Sequence, residues 1–189
     1  MSSMPSLSIE RHPHIAHILL APDEIAGQVR RLGAAISQDY AERDPMLVGV
    51  LKGVFPFLAD LSRAITVHHT VDFLAISSFA QRGKRGTVQI LKDLEESAEG
   101  RHILLVEDIV DTGLTLHYLS RWLEARTPAS LSICTLLDRP RRRLVSLPVV
   151  YWGFKLSDHF VVGYGLDYQE QYRHLPYVGV LRPEIYLPD

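Results

Sequence analysis

The chain has 189 residues, of which 47% are hydrophobic and 22% are charged, and its formal net charge at pH 7 is −2. This length and composition are typical of one globular domain and argue against a disordered or fibrous chain, so we expect a single domain over residues 1–189. The near balance of acidic and basic residues argues against a protein whose main task is to coat nucleic acid.

The cysteine count and the hydropathy pattern indicate in which compartment of the cell the protein is expected. Cys134 is the only cysteine, so an intrachain disulfide is impossible. Residues 1–10 lack a basic start followed by an apolar run, and no stretch approaches the ~20 apolar residues that cross a bilayer. We therefore expect a cytoplasmic protein without a membrane partner.

The N-terminal part is predicted as an arm followed by a helix. Residues 1–22 contain three prolines, and only residues 15–20 have a strand-like pattern. Asp23 offers a helix cap, and the apolar residues after it are spaced three and four apart, which predicts a helix ending near Tyr40. These apolar residues are Ile25, Val29, Leu32, Ala35 and Ile36.

Short apolar runs alternate with helical spacing along the rest of the chain. The predicted strands cover residues 46–51, 71–77, 88–91, 102–106, 131–137, 148–152 and 160–162, and the predicted helices follow Pro56 and Thr112. Runs that are apolar at every residue indicate parallel strands covered on both faces. The predicted fold class is α/β, a doubly wound, mainly parallel sheet with helices on both faces and a ligand site at the carboxyl ends of its strands.

One segment carries most of the chemical information. Residues 103–116 run from an apolar strand through Glu107 and Asp108 into a turn that opens a helix. The backbone amides from Thr112 through Gly113 and Leu114 to Thr115, with the two threonine hydroxyls, would form a cradle for a phosphate monoester. The two carboxylates would repel a bare phosphate, so they should face sugar hydroxyls or a metal. Asp111 is left for chemistry.

Each residue of this segment, taken alone, has another possible role. The aspartates and threonines of a strand-to-helix loop can act only as helix caps. Other phosphate motifs fail on spacing, because the chain has no Gly-Lys-Ser/Thr loop and no Gly-x-Gly-x-x-Gly after a strand. A sugar phosphate therefore fits the whole string best.

The string 103–116 resembles the signature of purine phosphoribosyltransferases of the hypoxanthine-guanine type. Leu51, Lys52 and Gly53 resemble the pyrophosphate loop of that family, and residues 77–79 resemble the start of its mobile lid. Residues 158–168 resemble its purine-binding hood, and the likeness continues through Arg173 and residues 175–181. It spans about residue 20 to residue 182, and it implies a small hood built from N- and C-terminal segments, including residues 155–182.

The resemblance implies an activity and its partners. The chain would transfer the 5-phosphoribosyl group from 5-phosphoribosyl-1-pyrophosphate to hypoxanthine or guanine, giving IMP or GMP and pyrophosphate. Mg²⁺ would be the cofactor, with Glu107, Asp108 and Asp167 as the protein groups around it. Nucleic acid is not an expected partner, and the resemblance implies homodimers or homotetramers.

The resemblance also implies roles for single residues. Asp111 would be the general acid or base near purine N7, and Glu107 and Asp108 would bind the ribose hydroxyls. A cis peptide between Leu51 and Lys52 would present the backbone to the pyrophosphate, which Arg173 would also bind. The remaining predicted substrate-binding residues are Gly53, Ser78, Phe79, Thr112, Gly113, Leu114, Thr115, Arg139, Phe160, Val161 and Asp167, with Phe160 stacking on the base and the Val161 backbone meeting its edge.

Two residues depart from the family pattern. Arg139 stands where the family usually has a lysine that reads the purine 6-oxo group, and Phe79 stands where its lid usually has tyrosine. Two alternatives therefore stay open. One is the same reaction with xanthine or another base preferred. The other is a regulator of the same fold that binds nucleic acid through the arginines at 139 and 141–143.

Overall fold

The computed structural model describes residues 10–79 and 87–187, and the alternation of strands and helices in it follows the predicted order. The strands are β1 (Ile15–Leu20), β2 (Pro45–Leu51), β3 (Thr70–Phe79), β4 (Thr87–Lys92), β5 (His102–Val110), β6 (Ser130–Asp138), β7 (Val149–Lys155), β8 (Val161–Val162) and β9 (Val178–Leu181). The helices are α1 (Pro22–Asp39), α2 (Phe55–Ala64), α3 (Leu114–Glu124) and α4 (Pro183–Tyr186), with a 3-10 turn at Pro140–Arg142.

The larger sheet has the strand order β4-β3-β2-β5-β6-β7 within the described part of the chain. Neighbouring strands from β3 to β7 are parallel, and β4 is antiparallel to β3 at one edge. Alternate strand residues point to opposite faces. Leu47 and Leu104 pack on one face with α1 and α2, whereas Met46 and Ile103 pack on the other with α3. The predicted doubly wound α/β fold is therefore confirmed.

A second sheet, in the order β1-β9-β8, is antiparallel and joins segments far apart in sequence. The N-terminal strand β1 pairs with β9, and β9 pairs with β8. A separate apolar cluster that includes Ile15, Val162 and Tyr177 fills its interior. This small sheet corresponds to the hood of N- and C-terminal segments that the resemblance implied.

Some predicted boundaries were wrong. Asp23 does not cap α1, since the helix starts at Pro22 and the Glu24 carboxylate accepts a hydrogen bond from the Ala21 amide at 2.8 Å. Strand β5 continues four residues beyond the apolar run, to Val110, so Glu107 and Asp108 lie inside it. Strand β9, α4 and the 3-10 turn were not predicted.

Other predictions remain open at this level. No helix in residues 10–79 and 87–187 combines the length and the apolar character needed to cross a bilayer. The predicted lid runs through residues 80–86, which lie outside the described residues, as do arm residues 1–9. One domain over residues 1–189 stays a prediction.

Candidate active site

The turn from β5 to α3 encloses a small cavity at the carboxyl end of the sheet. The cavity measures about 120 Å³, and its lining includes Glu107, Asp111, Thr112, Gly113 and Thr115. No side chain caps α3, although Thr112 Oγ1 lies 3.5 Å from the Leu114 amide. The amides of a first helical turn lack intrahelical acceptors. The turn therefore presents N–H donors at the positive end of a helix, which suits an anion.

Gly113 gives the turn its shape. Its φ of +82° lies in the left-handed region, which glycine adopts without a steric cost. A Cβ there would lie 2.9 Å from Leu147 Cδ1. The loop after the 3-10 turn packs against this β5–α3 turn, because the Leu144 amide donates a hydrogen bond to the Thr112 carbonyl at 2.9 Å.

Glu107 and Asp108 carry carboxyl groups in an environment that disfavours their charge. Burial raises the pKa of Glu107 well above its usual range, and the neighbouring Asp108 charge adds to this. Burial also raises the pKa of Asp108 to about 6. The hydrogen bond from the Ile109 amide and the attraction of Arg173 lower this pKa and so oppose the shift. Glu107 Oε2 is buried without a hydrogen-bond partner within the described residues. The pair is thus poised to accept hydrogen bonds from hydroxyl groups.

The predicted pyrophosphate loop meets this acidic pair. The peptide between Leu51 and Lys52 is cis, as the resemblance implied. A Cβ on Gly53 would lie 1.8 Å from Asp108 Oδ2, and a Cβ on Gly165 would lie 1.9 Å from the Gly53 carbonyl oxygen. The loop after β2, the end of β5 and the hood therefore come together at one point.

Asp111 faces two arginines from the end of the adjacent strand β6. Its Oδ1 lies 3.1 Å from Arg142 Nε, and its Oδ2 lies 3.9 Å from Arg139 Nη1. The Arg142 contact is an ion pair by distance without hydrogen-bond alignment, because Asp111 Oδ1 has no hydrogen-bond partner in the described structure. The side chain of Asp111 is 37% exposed and lines the cavity.

Arg139 is held firmly in the site. The residue is only 8% exposed, its amide donates to the Val110 carbonyl at 2.9 Å, and its guanidinium donates to the His159 carbonyl. Burial lowers the pKa of Arg139, and Asp111 opposes that shift. A rigid forked donor therefore lies beside Asp111, at the position where the resemblance implies a group that reads the base.

The hood contributes an aromatic surface. Phe160 is 37% exposed, and one of its faces stacks on Tyr186 with ring centroids 4.6 Å apart. Tyr168 contacts Phe160 edge-on at 5.6 Å. Val161 begins β8 and pairs with Val180 of β9. The exposed part of the Phe160 ring is available to a flat ligand.

Arg173 lies in a network of carboxylates. Its Nη1 donates to the Gly165 carbonyl at 2.8 Å, and its Nη2 lies 2.8 Å from Asp167 Oδ1 and 3.3 Å from Glu170 Oε2. The same Glu170 oxygen lies 3.1 Å from Lys52 Nζ. Sequence reasoning identified Lys52, Asp167 and Arg173 but missed Glu170.

The acidic residues predicted around a metal differ in what they could offer an ion. In the part of the chain that the structure describes, no three His, Cys, Asp or Glu side chains are arranged to hold a metal ion. Glu107 still has an unpartnered oxygen, whereas Asp167 is engaged by Arg173. Glu107 could therefore offer an oxygen to an ion as it stands, whereas Asp167 would first have to release Arg173.

The two lid residues of the prediction lie at the end of β3. The backbone of Ser78 pairs with Val88, and that of Phe79 pairs with Thr87, in an antiparallel hairpin. Their side chains lie outside the described residues, so the Phe79 departure stays a prediction.

Comparison with known proteins agrees with this geometry. The family model described as "Phosphoribosyl transferase domain" matches residues 17–169. The hypoxanthine-guanine phosphoribosyltransferase of Bacillus subtilis (strain 168) is 46% identical over 173 residues, which cover 91% of this chain and 96% of that protein. A bifunctional protein TilS/HprT of Listeria innocua is 45% identical over 93% of this chain, and the chain spans only 27% of its length.

A solved structure supports the same assignment. The crystal structure of a hypoxanthine phosphoribosyltransferase from Staphylococcus aureus superimposes with a TM-score of 0.90 at 42% identity, covering 94% of this chain and 97% of that one. Identity at this level over nearly the whole length of two such proteins goes beyond a shared fold. The chain therefore belongs to the phosphoribosyltransferase family, in its hypoxanthine-guanine group.

Proposed function

We propose that the protein transfers the 5-phosphoribosyl group of 5-phosphoribosyl-1-pyrophosphate to a 6-oxopurine, hypoxanthine or guanine, and releases pyrophosphate. The observation that carries the proposal is the meeting of the helix-opening turn at residues 111–115, the acidic pair Glu107 and Asp108, and the loop at Gly53 at one edge of the sheet. Named relatives with this activity support it at 44–46% identity.

The sugar phosphate would be held from two sides. The amides and hydroxyls of residues 112–115 bind the 5-phosphate, which neutralises its charge at the helix N-terminus. Glu107 and Asp108 accept hydrogen bonds from the ribose hydroxyls, and such donors would favour the charged form that burial in the protein disfavours. The backbone of Leu51, Lys52 and Gly53, with Arg173, binds the leaving pyrophosphate.

Displacement of pyrophosphate passes through an oxocarbenium-like state at the anomeric carbon. Mg²⁺, when bound near Glu107, Asp108 and Asp167, would offset the charge of the pyrophosphate group. Asp111 would exchange a proton with purine N7, because it is accessible from the cavity and next to the arginine that faces the base. Segment 77–86 would close over the site and keep water out.

The base would lie between the hood and the end of β6. Phe160 stacks on one face of the purine, the Val161 backbone meets its edge, and Arg139 donates to the 6-oxo group. The Arg139 guanidinium lies beside Asp111 and is held by the His159 carbonyl, so its position is fixed before a base arrives. These contacts favour a 6-oxopurine, and they leave the order of hypoxanthine, guanine and xanthine to experiment.

The nucleic-acid alternative has less support. Arg139 and Arg142 pair with Asp111, and Arg143 lies 2.6 Å from Asp138 Oδ1. Arg139 and Arg143 are thus largely buried against carboxylates, which leaves less of the cluster free for phosphate contacts along a nucleic acid. A homodimer or homotetramer is part of the proposal because the resemblance implies it, and a cytoplasmic location is part of it from the sequence pattern.

The test is ultraviolet monitoring of nucleotide formation. Purified protein is mixed with 5-phosphoribosyl-1-pyrophosphate and hypoxanthine, guanine, xanthine or adenine in turn, with Mg²⁺ and with a chelator. We expect product from hypoxanthine and guanine, none from adenine, and none without the metal. Absence of product from every 6-oxopurine would refute the enzyme, and salt-sensitive binding of RNA or DNA in its place would favour the regulator.

A further inference from the structure

We propose that Glu170 is an affinity-determining residue: its carboxylate takes the place of a pyrophosphate oxygen between Lys52 and Arg173 and must leave when pyrophosphate binds. This inference rests on the proposed function, because it assumes that Lys52 and Arg173 face the pyrophosphate group. It adds a residue that neither the sequence pattern nor the resemblance assigned to the site.

The contacts of Glu170 resemble those of a bound phosphate oxygen. A single carboxylate oxygen, Oε2, lies 3.1 Å from Lys52 Nζ and 3.3 Å from Arg173 Nη2. One anionic oxygen shared by an ammonium and a guanidinium is the arrangement that these groups also offer to phosphates. The site therefore binds a carboxylate of its own chain where the substrate's anion would bind.

The backbone fixes where Glu170 stands, while its side chain remains free to move. Gln169 and Glu170 have φ values of +53° and +61°, and the Glu170 amide donates to Asp167 Oδ2 at 2.9 Å. The Glu170 side chain is nevertheless 65% exposed. Its carboxylate lies at the surface and contacts both Lys52 and Arg173. An exposed, charged side chain on a fixed backbone can be displaced without refolding the loop.

Arg173 does not depend on Glu170 for its position. Its Nη1 donates to the Gly165 carbonyl at 2.8 Å, and Asp167 Oδ1 lies 2.8 Å from its Nη2. The Asp167 side chain is only 29% exposed. These two contacts hold the Arg173 guanidinium from the side of the hood, independently of Glu170. When Glu170 leaves, Arg173 stays in place, and removal of the Glu170 charge should strengthen anion binding.

The size of the effect follows from the exposure of the pair. Exposed ion pairs change equilibria by about 1.4- to 5-fold, and salt screens them. We therefore expect Glu170→Gln to lower KM for 5-phosphoribosyl-1-pyrophosphate by about two- to fivefold. The dissociation constant of magnesium pyrophosphate should fall by a similar factor, and KM for hypoxanthine should stay unchanged. Both effects should shrink when the ionic strength is raised.

The experiment compares wild type, Glu170→Gln and Glu124→Gln. Glu124 carries an exposed carboxylate paired with Arg121 at 3.8 Å near the C-terminal end of α3, so its variant makes the same charge change away from the pyrophosphate groups. Steady-state kinetics at two salt concentrations give both KM values, and titration calorimetry gives the affinity for magnesium pyrophosphate. Glu124→Gln should match wild type in each measurement.

Two outcomes would contradict the inference. If Glu170→Gln weakens pyrophosphate binding, Glu170 orders Lys52 and Arg173 instead of competing with their ligand. If its affinity is unchanged at low salt, the contact is without consequence. Failure of the proposed function would look different, because wild-type protein would then form no nucleotide, and calorimetry would still compare the two variants. Glu170→Ala, which also lacks the carboxylate, should reproduce the Glu170→Gln result.

Discussion

Gly53 lies so close to Asp108 that a Cβ on residue 53 would come within 1.8 Å of Asp108 Oδ2. The loop after β2 and the end of β5 can approach in this way only because residue 53 has no side chain. Real Cβ atoms do not tolerate such a distance, so the carboxylate would have to move. This packing links the predicted pyrophosphate loop directly to the group predicted to bind ribose.

Gly53→Ala should therefore remove activity while the fold persists. Displacement of Asp108 by about 1 Å would misplace the sugar, and misplacements of that size cost on the order of 100-fold in rate. We expect kcat/KM for 5-phosphoribosyl-1-pyrophosphate to fall by at least about that factor. Steady-state kinetics measure it, and thermal unfolding confirms that the variant is folded.

Gly27→Ala is the matched control for Gly53→Ala. Gly27 lies inside α1, and a Cβ there would meet only Arg30 Nη2, at 3.9 Å. Alanine in a helix interior is favoured over glycine by up to about 1 kcal/mol, so this variant should be fully active and slightly more stable. Equal activity of both variants would show that Gly53 tolerates a side chain.

Asp108→Asn should stabilise the protein at high pH only. Burial raises the Asp108 pKa from 3.8 to about 6. Between pH 4 and pH 6 the folded state therefore keeps a proton on Asp108 that the unfolded state has lost. Stability of the wild type therefore falls as pH rises from about 4 to 6, and the variant escapes this loss. After discounting for partial exposure, we expect a gain of roughly 1–2 kcal/mol at pH 8 and almost none at pH 4.

Urea unfolding at pH 4 and pH 8 measures this difference. Removal of the Asp108 charge also relieves its repulsion of Glu107, which acts in the same direction. The exposed Glu99→Gln variant serves as control and should stay within about 0.5 kcal/mol of wild type at both pH values. An equal effect of Asp108→Asn at both pH values would contradict the raised pKa.

Much of the fold was predictable because the strands of the large sheet are buried on both faces. Met46 and Leu47 point to opposite faces and are both fully buried, so the run has no polar alternation. The end of β5 was missed because Glu107 and Asp108 break the apolar run. The backbone continues as a strand there because pairing with β6 persists at Glu107 with Thr135 and at Ile109 with Leu137.

The missing parts of the site depend on contacts between distant segments. Val110 pairs with Asp138 in the parallel register of β5 and β6, so the residues that follow, Asp111 and Arg139, become neighbours. The sequence left the arginine run after β6 as a candidate nucleic-acid contact, because Asp111, which lies next to Arg139 and Arg142, comes about 30 residues earlier in the chain. Strand β9 is short, and it is recognisable only through its pairing with β8 and with β1, which lies at the other end of the chain.

Asp111→Asn should reduce turnover far more than it weakens substrate binding. Asparagine keeps the shape and an acceptor oxygen but cannot exchange a proton with the base. General acid–base catalysis contributes about 10²- to 10⁴-fold, so we expect kcat to fall by that range. The dissociation constant of 5-phosphoribosyl-1-pyrophosphate, measured by calorimetry, should change less than about threefold, which is a difference of under 1 kcal/mol.

The control for Asp111→Asn is Asp44→Asn. Asp44 is exposed just before β2, at the opposite end of the sheet from the turn between β5 and α3. Within the described residues its one ion pair is with His68. This variant should turn over like wild type. Turnover by Asp111→Asn equal to that of wild type would remove Asp111 from the mechanism.

Tyr186→Leu should weaken binding of the purine without affecting the sugar pyrophosphate. The Tyr186 ring stacks on Phe160 at 4.6 Å with 20° between the planes, and it also packs against the apolar cluster of the hood. It therefore supports one face of Phe160 and leaves the other for the base. Aromatic pairs contribute about 0.5–1.5 kcal/mol beyond their buried area, so we expect KM for hypoxanthine to rise about two- to tenfold.

Tyr186→Phe distinguishes this support from other roles of the residue. The variant keeps the ring and lacks only the hydroxyl, so its KM values for hypoxanthine and for 5-phosphoribosyl-1-pyrophosphate should match those of the wild type. Tyr186→Leu should match the wild type in its KM for 5-phosphoribosyl-1-pyrophosphate. A fall in KM for hypoxanthine in Tyr186→Leu would mean the opposite arrangement, in which Tyr186 covers the face of Phe160 that the base needs. The direction of a single constant thus decides on which side of Phe160 the purine binds.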